Sequence, residues 1–200
     1  MLTVHHLASS QSERIVWLCE ELELPYAFRR YDREPNGAAP PEYKALSPFE
    51  TAPVITDGDL ALGESGAIVD YICRVHAGGR LLPEPDHPEF ADFLFWFHFA
   101  NGSFIPAMML DMFAKRTGAA AVPGRLDRAL ALIEQRLGEA HYFAGADFSA
   151  ADIMMCLLRY APKDADGRYP HIAAYVRRII ERPGSCRTLE KTAEDKPLPF

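Results

Sequence analysis

Two short stretches carry the residue types best suited to gripping a small ligand: Thr51-Ala-Pro-Val-Ile and Gly63-Glu-Ser-Gly-Ala-Ile. In the first, Pro53 sits at the mouth of an expected strand, a position proline tolerates because no ladder donor is needed there. In the second, the pair Glu64-Ser65 opens an expected helix, with Ser65 read as its N-cap. A helix N-terminus presents unpaired amides and the positive end of its dipole, both of which favour an anion. Together these features suit a short anionic peptide bearing a thiol, held by main chain and by a helix end. Upstream lies a polar turn with hydroxyls at Ser9, Ser10 and Ser12. Ser12 falls where the following helix should begin, so its expected role is a second N-cap; from the residues alone, Ser10 is an ordinary turn serine.

The elements that must position these residues follow from periodicity. Leu2 to His6 reads as a strand, and His5 and His6 alternate across it, so they cannot chelate together. Ile15, Leu18, Cys19 and Leu22 recur at helical spacing, which predicts a helix over Ser12 to Leu22 that Pro25 stops. Ala27 to Arg30 is a second strand, and a short helix follows Pro41. Val54-Ile-Thr and Leu60-Ala-Leu flank Asp57-Gly58, a hairpin signal. Ile68, Tyr71, Ile72 and Val75 then mark another helix. Strand, helix, strand, helix, hairpin, helix is the order of a thioredoxin-like domain.

Residues 79–88 hold a proline-rich linker, and beyond it only helical spacing remains. Phe90 to Phe113 is apolar on several faces and must be buried on several sides, with a partner subunit as one candidate cover and with Pro106 as a kink. Further stripes run through Leu126, Leu130, Ile133 and Leu137, through Ile153, Cys156, Leu157 and Tyr160, and through Ile172, Tyr175, Val176, Ile179 and Ile180. Phe148-Ser149-Ala-Ala-Asp152 is a capping box that starts one of these helices. From Arg187 onward the chain reads as a polar surface tail. The fold class is therefore α/β plus all-α: a thioredoxin-like domain over residues 1–78, a linker over 79–88, and an all-helical domain over 89–200.

Composition excludes several functions. The formal net charge of −7 over 200 residues gives no general attraction to nucleic acid or an anionic membrane. The start of the chain lacks the basic and apolar regions of a secretory signal, and His98, Asn101, Pro106 and Asp111 interrupt the most apolar run, so no membrane span is expected. The cysteines, at positions 19, 73, 156 and 186, show no Cys-x-x-Cys spacing and read as reduced thiols in a cytoplasmic protein. Cys19 and Cys73 fall within helices, where buried, inert thiols are the norm. No cluster has metal-ligand spacing.

Taken in order, Ser9-Ser-Gln-Ser-Glu-Arg-Ile-Val-Trp, Glu20-Glu-Leu-Glu-Leu-Pro-Tyr26, Leu46-Ser-Pro with Ala52-Pro-Val-Ile, Glu64-Ser65, the linker and Phe148-Ser-Ala-Ala-Asp resemble the cytosolic glutathione transferases. The resemblance is strongest to the bacterial and fungal branch with a serine near the first strand. It implies an enzyme, a homodimer active in detoxification, that uses glutathione as co-substrate and no metal and delivers its thiolate to a hydrophobic electrophile. Ser10, four residues before Arg14, matches the serine that stabilises the thiolate, with Ser9 and Ser12 as alternatives. Pro53 is implied to be cis, Val54 to pair main chain to main chain with the cysteinyl unit, and Glu64 and Ser65 to hold the γ-glutamyl end. Asn101, Phe104, Met108 and Met112 are implied to meet the hydrophobic substrate. Glu50 and Gly66 depart from the pattern: the glycyl carboxylate has no evident cation, leaving Lys44 or Arg33 to reach it. A glutathione-dependent peroxidase or disulfide reductase, or a non-catalytic binding module on the same fold, are the alternative functions.

Overall fold

The computed structural model describes residues 1–118, 124–162 and 165–193, with side chains omitted at 159, 160, 165 and 166. Two of the expectations above, the surface course of residues 194–200 and the side chain of Tyr160, lie outside the described residues. The chain forms two compact units. Among the described residues, Met1–Leu82 and 181–193 make the first; those between Pro83 and Ile180 make the second.

The first unit runs β1 (Leu2–Leu7), α1 (Glu13–Glu21), β2 (Ala27–Tyr31), α2 (Pro41–Lys44), β3 (Val54–Asp57), β4 (Leu60–Gly63) and α3 (Ser65–Tyr71), which continues as a wider π-helical turn over Ile72–His76. The sheet order is β2-β1-β3-β4. β1 and β2 are parallel, joined through α1, while β3 is antiparallel to both β1 and β4. The hairpin turns at Gly58, whose φ of +57° belongs to the left-handed region that glycine enters without a steric cost. This is the mixed sheet of a thioredoxin-like domain, as the element order predicts.

The first helix departs from the simple amphipathic stripe. Ile15, Val16, Trp17, Leu18 and Cys19 are all fully buried, and so is Arg14. The cause is a final helix, α11 (Pro183–Lys191), which packs along α1. The expected polar tail from Arg187 is therefore corrected: those residues continue a helix whose polar side chains meet α1 carboxylates. Glu20 accepts from Arg187 and Lys191 and from the Tyr26 hydroxyl, and Glu21 accepts from Arg182 and from the Trp17 indole. Burial pushes the Glu20 carboxyl upward, but Lys191, Tyr26 and Arg187 outweigh it and hold its pKa below the usual range. The two backbones come so close at Gly184 that a Cβ there would lie 2.8 Å from the Glu21 main-chain nitrogen.

The second unit holds α4 (Phe90–Phe99), a π-helical turn over Ala100–Phe104, α5 (Ile105–Thr117), α6 (Arg125–Glu139), α7 (Ala150–Met155), α8 (Leu157–Tyr160), α9 (Ala165–Arg168) and α10 (Pro170–Ile180). The break expected at Pro106 is met by that widened turn just ahead of it, where the missing proline donor would otherwise interrupt a regular ladder. Phe93, Trp96 and Phe104 are buried, as are Ile133, Phe143, Ile153, Ile172 and Tyr175, whereas Leu94, Phe95, Met109, Leu110 and Phe113 are exposed. The capping box forms as predicted. Ser149 accepts from Ala151, and the buried Asp152 carboxylate accepts from the Ser149 amide and hydroxyl, the Phe143 amide and the Tyr175 hydroxyl.

Two consequences can be measured. Burial raises the Asp152 pKa to about 6, against the pull of those donors. The folded chain thus keeps a proton that an unfolded aspartate, with an ordinary pKa near 3.9, has already released. The stability this carboxyl contributes is greatest at the acid end and falls as pH rises through that window, by roughly 3 kcal/mol in all. In urea unfolding, the stability difference between wild type and Asp152→Asn should therefore be larger at pH 4 than at pH 7. Second, Gly184→Ala should cost about 1–3 kcal/mol by forcing α11 away from α1, read as a lower Tm and faster proteolysis after Glu181.

Candidate functional site

The strand register places the candidate residues. His5 of β1 lies opposite Val54 of β3, which in turn lies opposite Gly63 of β4. Because β3 runs against its two neighbours, the end of β1, the start of β3 and the end of β4 share one end of the sheet. Three segments leave there side by side: Ala8–Ser12, Ala52–Pro53 and Glu64–Ser65. The Ala52–Pro53 peptide is cis, the geometry that the family resemblance implies. Leu7, Tyr31, Ala39, Tyr43 and Val54 form a small apolar cluster below this end, with Leu46 and Ala52 against it.

The serine turn is built from hydrogen bonds within itself, to the end of β1 and to Arg33. Ser12 has helical backbone angles, and its side chain makes no cap, because an N-cap oxygen reaches the N2 or N3 amide from an extended residue. The N-cap expectation for Ser12 is thereby corrected. Its fully buried hydroxyl instead accepts from the Leu7 amide at 3.0 Å and lies 3.0 Å from His6 Nδ1, 2.7 Å from Ser10 Oγ and 3.3 Å from the Leu7 carbonyl. Ser10 Oγ also accepts from the Ser12 amide, at 3.2 Å, and Ser10 retains 8% exposure. Ser9 is half-buried, in the left-handed region at φ +54°. Arg33 donates to the carbonyls of Ala8, Ser9 and Gly37, so its guanidinium braces this turn.

At the neighbouring segment, Glu64 is the residue that flanks α3, with φ +65°, and Ser65 is the first residue inside the helix. The expected N-cap role of Ser65 thus falls to the Glu64 position, with no side-chain cap bond. Ser65 is buried, and its hydroxyl accepts a long hydrogen bond, 3.4 Å, from Arg14 Nη1. Arg14 Nη2 donates to Gln11 at 2.8 Å. A buried guanidinium therefore ties the start of α1 to the start of α3. Glu64 itself is exposed. Sequence reasoning weighed Ser12 only as a cap or as an alternative to Ser10 and passed over Arg14 and His6 as parts of the site; the Ser-x-Ser spacing after a strand carrying His6 was a local signal for them.

Val54 is placed differently from its expected role. It is fully buried and sheet-paired on both sides, whereas pairing with an added peptide strand needs an open edge. The adjacent Ala52 lies outside the ladder, and among the described residues its main chain makes no hydrogen bond. Of the expected glycyl-end cations, Arg33 is committed to the turn carbonyls, while Lys44 is half-buried and has no ion-pair partner among the described residues. Asn101, in the π-helical turn, and Phe104, Met108 and Met112 belong to the second unit; Phe104 and Met108 are buried, Asn101 and Met112 half-buried. Cys73 is pushed up to about 12 by burial and Cys19 higher still, so neither supplies a thiolate at neutral pH.

Comparison with known proteins agrees with this architecture. Residues 8–75 match the family model of the glutathione S-transferase N-terminal domain, and residues 98–183 match that of the C-terminal domain. Glutathione S-transferase 3 of Schizosaccharomyces pombe is 31% identical, over 99% of this chain and 90% of its own length. A crystal structure of a glutathione S-transferase from Actinobacillus pleuropneumoniae superposes with a TM-score of 0.85 at 29% identity, covering 96% of this chain and 93% of that one. A glutathione transferase from Phanerochaete chrysosporium, solved in complex with oxidized glutathione, shares the fold at a TM-score of 0.78 and 19% identity, with 96% of each chain covered. With the fold, both domain models and a full-length relative in accord, this chain belongs to the glutathione S-transferase family.

Proposed function

We propose that this protein binds glutathione along the row of segments at the Leu7–Val54–Gly63 end of the sheet and transfers its thiolate to a hydrophobic electrophile. One observation carries the reading. The serine turn, the Ala52 main chain and the Glu64–Ser65 helix start leave adjacent strands. Two inter-strand spacings span about 10 Å. Three extended residues also span about 10 Å, so a tripeptide can meet all three segments at once. The Phanerochaete neighbour's complex with oxidized glutathione supports the choice of ligand.

The roles follow from the chemistry. A free thiol has a pKa near 8.5, so at neutral pH only a minority is ionised. The Ser10 O–H, aimed at the sulfur, favours the charged form, and each unit of depression corresponds to about 1.4 kcal/mol. The thiol proton leaves to solvent. The thiolate then forms a carbon–sulfur bond at the electrophile while the leaving group departs with its bonding pair. Ala52, next to Pro53, takes the main-chain role first assigned to Val54, and Val54 packs beneath it. Ser65, backed by Arg14 and by the helix N-terminus, holds the γ-glutamyl carboxylate, and Glu64 faces its ammonium. Lys44 is the candidate for the glycyl carboxylate. Asn101, Phe104, Met108 and Met112 are assigned to the electrophile, the last three recurring at helical spacing. The reading includes a cytoplasmic enzyme with free thiols and a homodimer, whose second copy would cover the exposed Leu94, Phe95, Met109, Leu110 and Phe113.

Thiolate absorbance of bound glutathione, followed against pH, tests the central role. Ser10→Ala should raise the bound thiol pKa by about one to two units and lower turnover of an aryl halide about ten- to hundredfold near neutral pH. A loss seen with Ser9→Ala instead would move the role to that neighbour, and unaltered titrations in both would remove the serine turn from the chemistry. Ser65→Ala should split the other way, raising KM for glutathione several-fold while leaving the bound thiol pKa in place. Binding without aryl transfer would point to the redox alternative, and no binding at millimolar glutathione to a non-catalytic module.

A further inference from the structure

Resting on the reading of Ser10 as the thiolate's donor, we infer that His6 is a positioning residue that sets the direction of the hydroxyl chain and thereby frees the Ser10 proton for the ligand. The argument is a count of donors and acceptors. A serine hydroxyl has one proton and two lone pairs. One lone pair of Ser12 Oγ accepts from the Leu7 amide. The other is open to either of two donors, His6 Nδ1 at 3.0 Å or the Ser10 hydroxyl at 2.7 Å.

With the proton on Nδ1, His6 donates to Ser12 and fills that lone pair. Ser10 then has no acceptor on Ser12. The Ser12 proton turns to Ser10, 2.7 Å away, in preference to the Leu7 carbonyl at 3.3 Å. Ser10 Oγ now accepts from the Ser12 hydroxyl and the Ser12 amide, so both its lone pairs are occupied and its proton points away from the chain. Donation received at one hydroxyl also polarises the next and strengthens the bond it makes. With a bare Nδ1 the chain reverses: Ser12 donates to His6, Ser10 donates to Ser12, and no proton is left for a sulfur. His6 and Ser12 are fully buried, so water does not complete either arrangement. His6 is held from its other face by stacking on Phe28, ring centroids 5.6 Å apart.

The test has two independent arms. In the ligand-free protein, long-range nitrogen NMR of the imidazoles, with His6 assigned by its loss in a His6→Phe variant, reads whether Nδ1 is pyrrole-type (protonated) or pyridine-type (bare). A pyrrole-type Nδ1 is expected, and a pyridine-type one overturns the inference without any reference to glutathione. In the second arm, His6→Phe, which leaves the Ser12 lone pair open to the Ser10 proton, should raise the bound thiol pKa by about one unit, a tenfold loss of thiolate well below it; Ser12→Ala, which removes that competing acceptor and only the polarisation Ser12 supplies, should raise it by less. Affinity for glutathione measured at acidic pH, where the thiol is neutral, should change less than twofold. His6→Asn, which returns an N–H near the Nδ1 position, should recover at least half of the shift. A fold-wide effect would lower affinity and Tm together and spare the pKa difference; that pattern, or titrations like wild type in both variants while Ser10→Ala is shifted, overturns the relay. If wild type itself binds glutathione with an undepressed thiol, the thiolate role of Ser10 fails, and the NMR arm still decides the chain's direction.

Discussion

His5, Val54 and Gly63 lie in one row across β1, β3 and β4, and that row decides where every group of the candidate site leaves the sheet. Side chains alternate along a strand, so a slip by one residue would turn Val54 out of the apolar cluster it shares with Leu7 and Tyr43. Burial of Val54 and Ile55 on a central strand therefore holds the register. The register in turn fixes the spacing between the serine turn, the Ala52 main chain and the start of α3. The row proposed to bind an extended peptide thus rests on core packing beneath it.

Behind that row the polar groups are joined rather than isolated. Ser12 binds the Leu7 main chain, His6 and Ser10, while Arg14 joins Gln11 to Ser65. Unpaired buried donors and acceptors are costly, so joining these groups to one another lowers the penalty of burying them. The arrangement places the connected groups inside and leaves Ser10 as the slightly exposed end of its chain. A group so placed is held rigidly from behind, which is the condition for acting on a ligand without reorganising.

The same principle explains why the last helix returns to the first. Glu20 and Glu21 are nearly buried on α1, and Arg182, Arg187 and Lys191 of the C-terminal segment neutralise them. Removing those cations would leave buried carboxylates unpaired, a larger penalty than the net worth of the pairs themselves. The helix that carries the serine turn and Arg14 is therefore enclosed on both sides, by the sheet and by a segment more than a hundred and fifty residues away in sequence.

Local chemistry made much of this legible. A short apolar run marked the first strand, Asp57-Gly58 marked the hairpin, and Ser149 with Asp152 marked the helix start, because each is settled by residues within a few positions of one another. The ordered motifs, as a resemblance, pointed to the family and to the cis peptide before Pro53, while the roles they imply for Ser10, Glu64 and Ser65 are proposals. Local signals misled where groups outside the pattern being read compete for the same atom. Ser12 looked like a cap, but His6 and the Leu7 main chain hold its hydroxyl. Ser65 looked like a cap, but the chain turns one residue earlier. The polar stretch from Arg187 looked like a surface tail because its partners, Glu20 and Glu21, lie at the far end of the sequence. By itself, then, the sequence determined the order and type of most elements up to the last helix, since propensity and pattern act at short range. Only the tertiary structure decided which hydroxyl faces outward and which main chain stays free, since those depend on hydrogen bonds between segments that folding alone brings together.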